Sequence, residues 1–112
     1  MAGEDPLRRM RLSRANPLQM TNTTLVVVVT NARLSKVDAN RVAQRGHDGL
    51  ARAIKPVHTM YDGDVVFALA GGDVEASVDL VAEAGADAAA RAIRQAVRAA
   101  SPHPSVRSVS SL

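Results

Sequence analysis

The chain contains no cysteine. A thiol nucleophile, structural disulfides and thiolate zinc sites are therefore excluded together. Aromatic residues are scarce, at 2%, and comprise Tyr61 and Phe67. A core must then be close-packed from small residues, chiefly Ala and Val, with little bulk to fill gaps. No apolar run approaches the length of a membrane span. Arginines near the start are followed by no apolar stretch, so no secretory signal is present, and the expected location is cytoplasmic. A G-x-S-x-G elbow is absent, and Gly71-Gly72-Asp73 lacks the spacing of a phosphate-cradling loop. His47 and His58 have no ligand-like spacing to a second histidine or carboxylate, so they read as hydrogen-bonded packing residues and no metal is expected.

What is present fits one domain or a piece of one, in 112 residues with an ordinary 46% apolar content. The net charge is +3, and Arg8, Arg9, Arg11 and Arg14 crowd the opening segment. Such a cluster admits a nucleic-acid reading. No aromatic interleaves with it to stack bases, so a solvated or loosely docked tail is the better reading. Neither a nucleic acid nor a membrane is expected as partner.

Three segments are expected: an irregular Arg-rich leader over 1–22, a folded segment over 23–100, and a frayed Ser- and Pro-rich tail over 101–112. The run from about Thr24 to Thr30 predicts a strand, followed by a turn over Asn31 to Leu34. Ser35 with Asp38 three residues on predicts an N-cap. The helix behind it runs to about Ile54, with Ala39, Val42, Ala43, Gly46, Leu50 and Ile54 on its inner stripe. Gly46 there costs about 1 kcal/mol relative to Ala, which close approach to a sheet would compensate. Pro56 ends the helix region. Val57 to Tyr61 reads as a short strand, Asp62-Gly63 as a hairpin turn, and Asp64 to Ala70 as its partner strand. Gly71-Gly72 breaks that strand, and Asp73 is placed to cap a second helix. That helix is Ala-rich and expected from about Val74 to Ala100, with an interruption near Gly85. Its stripe reads Val74, Val78, Val81, Ala88, Ala92, Ile93, Ala96 and Val97.

The order is strand-helix-strand-strand-helix, an α/β chain. Both apolar strands read as buried on two faces. Two helices on one side cannot hide that much apolar surface, so another sheet, another chain or a further segment must cover the other face.

Asn22-Thr23-Thr24 precedes the unbroken run Leu25-Val26-Val27-Val28-Val29. A hydroxyl at the mouth of a rigid strand is held where a nucleophile is needed. Cleavage of the Asn22–Thr23 bond would leave Thr23 as an N-terminus whose own amine serves as base. The competing reading is that Asn and Thr simply start a strand.

The run from Asn22 to Ala32 resembles the start of the small subunit in the L-aminopeptidase/D-esterase and β-aminopeptidyl peptidase family. His47-Asp48-Gly49-Leu50-Ala51-Arg52-Ala53-Ile54, Pro56-Val57-His58-Thr59, Asp62-Gly63-Asp64 and Val66-Phe67-Ala68-Leu69-Ala70 resemble it too. The similarity covers about residues 22–100. It implies half of an αββα sandwich whose second sheet supplies the missing layer. It implies Thr23 as nucleophile, Asn22–Thr23 as the processed bond, and release of N-terminal residues from small peptides, amides or esters through an acyl-enzyme, with no cofactor. At the family's small-polar/x/acid position stand Asp62-Gly63-Asp64. Asp64 would orient the ammonium of the nucleophile or substrate and Asp62 would tune local hydrogen bonds, with plain turn chemistry as the alternative for both. The first position departs from the Ser of some relatives.

In the family a long α segment precedes the processed bond. The expected partner is a separately supplied α-like subunit, or a second copy through self-association. A truncated non-catalytic remnant and a self-associating interaction module are the alternatives. The ornithine acetyltransferases share the self-cleaving Thr logic, so acyl transfer of their type is a further alternative.

Overall fold

The computed structural model describes residues 23–105, 107 and 108; Asn22, the arginine leader and the end of the tail lie outside them. Its elements are β1 (Leu25–Ala32), α1 (Lys36–Ala53), β2 (Val65–Val74) and α2 (Val78–Ala99). The α/β class is as expected, but the order is strand-helix-strand-helix. Described residues from Ser101 onward form neither helix nor a strand of the sheet.

The expected hairpin does not form. Val57–Tyr61 is not a strand, and β2 pairs with β1 in parallel, with Leu25 level with Val65 and Val29 with Leu69. The reason lies in Asp62, which commits its polar groups to the residues before it. Its N–H donates to the Thr59 carbonyl at 3.2 Å, and its Oδ2 accepts the Thr59 N–H at 3.0 Å. The turn closes there, and the chain runs forward into β2. A helical crossover of α1's length is what parallel pairing requires.

β2 also continues through Gly71-Gly72, which was expected to break it. A Cβ on Gly72 would overlap the backbone of Asn31. The ladder is irregular between Thr30 and Ala32, so the glycine permits close backbone approach at a bulge. β1 accordingly extends through Asn31 and Ala32, expected as turn. Asp73 lies inside β2, and Ser77 caps α2 instead by accepting the Leu80 N–H at 3.2 Å.

Ser35 caps α1 as expected, accepting the Asp38 N–H at 3.1 Å. Val42, Ala43, Gly46 and Leu50 are buried, joined by Gly49. A Cβ on Gly46 would sit 2.7 Å from Val66 Cγ1, so the helix does approach the sheet closely there. Gly49 lies against the Ala86 carbonyl and would bring a Cβ within 2.8 Å of the Ala89 Cβ. The face of α2 differs from the expected stripe. Ala82, Gly85, Ala86, Ala89 and Ala90 are buried, whereas Ala88, Ala92, Ala96 and Val97 are not, and Val74 belongs to β2. Small residues face α1 because the helices meet closely, and an Ala-rich helix shows little contrast between its faces. α2 runs unbroken through Gly85, which leaves room for Val28. Arg45 and Arg52 of α1 donate to Glu83 of α2 at 2.6 and 3.0 Å. A hydrogen bond to Asp48 raises the Arg45 guanidinium further above its ordinary value.

Both helices cover the same face of the sheet, where Val28 and Val66 are buried. Among the described residues, nothing covers the opposite face. Leu25, Val27 and Val29 are 70%, 55% and 73% exposed, and Phe67 and Leu69 of β2 are 55% and 59% exposed. Two-sided burial of the strands thus fails among the described residues, and the apolar alternate row awaits a cover.

Candidate active site

The polar residues singled out in the sequence converge at the N-terminal ends of the two strands. Parallel α/β sheets ordinarily bind ligands at the other end, so the chemistry of this corner rests on its own residues. Thr23 is exposed and stands two residues ahead of β1. Thr24 is fixed from both sides. Its N–H donates to Asp64 Oδ1 at 2.9 Å, and its carbonyl accepts the Val65 N–H at 3.0 Å. The Asp64 side chain is only 7% exposed. A carboxylate on a backbone N–H is a charge-assisted bond, among the stronger kinds.

Asp62 is oriented the other way, with its carboxylate on Thr59. Tyr61 N–H donates to the Thr59 hydroxyl at 3.4 Å, completing a polar turn. Asp62 thus closes a turn with Thr59 and not the hairpin expected at Asp62-Gly63, while Asp64 reaches across 40 residues to the strand mouth. The structure links Asp64 to the residue after Thr23. Asn22 lies outside the described residues.

Sequence reasoning missed one member. His58 has a positive φ of 57°. Its Nδ1 lies 3.8 Å from Asp64 Oδ2, and its Nε2 lies 3.3 Å from the His47 carbonyl oxygen. The two imidazoles meet edge-on at 5.1 Å. The Thr24–Asp64 link is hidden by a hairpin reading; parallel pairing of the two apolar runs sets these residues level.

Among the described residues, no group of three or more His, Asp or Glu is placed to hold a metal ion, and no helix is long and apolar enough to cross a membrane. An apolar groove of about 280 Å³ lies between β1 and α2, lined by Val28, Thr30, Leu80 and Gly85 among others. It includes none of Thr23, Asp62 and Asp64, so it is not the pocket for their chemistry.

The profile of peptidase family S58 matches residues 3–109. The chain belongs to peptidase family S58. The match reaches beyond both ends of the 22–100 similarity and takes in most of the leader. An uncharacterized aminopeptidase of Mycobacterium leprae is 47% identical over 100 aligned positions, covering 76% of this chain and 28% of that protein. One of Mycobacterium tuberculosis is 44% identical over 96 positions, covering 72% and 28%. A 6-aminohexanoate-oligomer endohydrolase of a Kocuria species is 40% identical over 57 positions, covering 51% of this chain and 16% of that enzyme. This S58 chain thus spans under a third of the length of these relatives.

Proposed function

We propose that this chain is the β-subunit-like part of a self-processing S58 hydrolase of aminopeptidase type, with Thr23 as its nucleophile. The observation that carries the reading is the Asp64–Thr24 bond, which anchors the backbone immediately after Thr23. Cleavage of Asn22–Thr23 frees the Thr23 amine. That amine, directly or through water, takes the Oγ proton as Oγ attacks the scissile carbonyl. The tetrahedral intermediate collapses, the leaving amine or alcohol takes the proton, and water then hydrolyses the acyl-enzyme. Oxyanion donors come from the segment that completes the pocket; one such donor is worth about 100- to 1000-fold in rate.

The bare sheet face supports an α-like partner segment as the cover. Continued back two residues from Leu25, the strand alternation puts Thr23 in the row of Leu25, Val27 and Val29. The cover would therefore border the nucleophile. Substrates are small peptides, amides or esters that lose an N-terminal residue, and similarity to the 6-aminohexanoate-oligomer endohydrolases adds 6-aminohexanoate oligomers as candidates.

The test is intact mass of the chain supplied with an α-like S58 segment, followed by turnover of aminoacyl anilides, amides and esters. Loss of residues 1–22 with turnover, both abolished by Thr23→Ala, is the expected result. A whole mass and no turnover would leave a non-catalytic module and overturn the proposal.

A further inference from the structure

We propose that His58 is a positioning residue which holds the Asp64 carboxylate in place against the Thr24 N–H. Three observations meet at this side chain. The first is its backbone. A φ of 57° lies in the left-handed region, which is uncommon for a non-glycine residue. The sequence places histidine there, although Gly would adopt that conformation freely. Such a conformation persists where the surroundings over-determine it, and it is found at functional sites.

The second is what the conformation achieves. The ring is delivered between two groups that can only accept: the His47 carbonyl at 3.3 Å and Asp64 Oδ2 at 3.8 Å. The contact of its Nε2 with the His47 carbonyl, reinforced by ring-to-ring packing at 5.1 Å, ties the loop to α1. The ring is thereby fixed to a rigid element while its other nitrogen faces the carboxylate.

The third is the division of labour on Asp64. Oδ1 is occupied by the Thr24 N–H, and Oδ2 is the oxygen nearest His58. With its side chain 7% exposed, Asp64 has little water to satisfy Oδ2. A carboxylate held at one oxygen can still rotate; an imidazole 3.8 Å from the second oxygen restricts that rotation by contact, and by charge when the ring is protonated. His58 therefore acts through Asp64 on the strand mouth and touches no reacting atom. Its bearing on catalysis rests on the reading of Thr23 as nucleophile. Its structural link to Thr24 does not.

The experiment uses the full chain and backbone amide exchange by NMR. His58→Gly keeps the backbone conformation accessible and removes the ring. His58→Asn tolerates the left-handed conformation and keeps a polar amide near the position of Nδ1. Thr24 exchange should accelerate at least about threefold in His58→Gly, with the amides of α1 and α2 unchanged, and stay near wild type in His58→Asn. Wild-type Thr24 exchange in His58→Gly overturns the proposal. So does equal acceleration in both variants, because the polar group beside Oδ2 would then be irrelevant. Should His58→Gly loosen the helices as well, folded His58→Asn decides alone: retained Thr24 protection supports the role and loss refutes it. In the assembled enzyme, His58→Gly should lower kcat by about 10- to 100-fold with KM little changed. Absence of turnover in the wild type would sink the Thr23 reading and leave the amide result standing.

Discussion

Asp64→Ala removes the acceptor that holds the Thr24 N–H at 2.9 Å and leaves that donor partly buried. A hydrogen bond to a charged group contributes about 1.5–3 kcal/mol net. Thr24 is of intermediate exposure, so water can replace part of the bond, and the lower end applies. The next link also suffers, because the Val65 N–H donates to the carbonyl of the same residue at 3.0 Å. A local loss of about 1.5 kcal/mol corresponds to roughly tenfold faster amide exchange at Thr24 and Val65. Asp64→Asn keeps an acceptor oxygen and loses the charge. Charge-assisted bonds are about twice as strong as neutral ones, so its effect should be roughly half in free energy, near threefold in rate. Residue-resolved hydrogen exchange measures both. Wild-type protection of Thr24 and Val65 in Asp64→Ala would show that the strand mouth is held by the ladder alone, and the reasoning about the site would fall with it.

Gly49→Ala should destabilise the fold by about 1–2 kcal/mol, since overpacking against the α2 backbone outweighs a helix-propensity gain of about 1 kcal/mol. Gly71→Ala, whose added Cβ would meet nothing within 4 Å, should stay within about 0.5 kcal/mol, and urea midpoints at constant slope compare the two. Ser35→Ala and Ser77→Ala should each cost about 1 kcal/mol through loss of the caps on Asp38 and Leu80. Phe67→Lys, on the bare face, should leave the chain's own unfolding midpoint within about 0.5 kcal/mol while weakening association with an α-like segment or a second copy, read by sedimentation velocity; unchanged association would remove that face from the interface.

Much of the fold is legible where residue types contrast. Ser35 announces its helix because a hydroxyl ahead of an amphipathic run has a local partner, and the Val42–Leu50 stripe stands out against polar neighbours. The face of α2 is not legible for the opposite reason: Ala on every side of the helix gives little contrast, and close helix packing selects the smallest residues. Asp62-Gly63 misleads because a turn signal specifies a bend and not the direction of the next strand. That direction is settled by Thr59, whose N–H and carbonyl both engage Asp62. Thr23 and Asp64 can be named from a resemblance, but the bond between Asp64 and Thr24 depends on parallel register, which no local pattern encodes. The left-handed backbone of His58 has no sequence signal, since histidine is not a residue that demands it.

The corner and the bare face belong to one physical problem. Asp64 anchors the strand mouth through the Thr24 N–H, His58 is proposed to steady it, and the Asp64 side chain is only 7% exposed. Thr23 is exposed, and by strand alternation it continues the uncovered row of Leu25 and Val27. If Thr23 is the nucleophile, as proposed, its support is in place while its surroundings are wet. A segment seated on Val27 and Phe67 would bury apolar area at about 25 cal/mol per Å², and the same act would exclude water from beside Thr23. Electrostatic interactions at that point would then strengthen, as the local dielectric falls. On the proposed reading, hydrophobic association and activation of the hydroxyl would be coupled through the register of β1. A charge on the bare face, as in Phe67→Lys, should accordingly lower turnover in proportion to lost association, and saturating the enzyme with the covering segment should restore it. Turnover that stays low at saturation would mean that the face does more than recruit its cover.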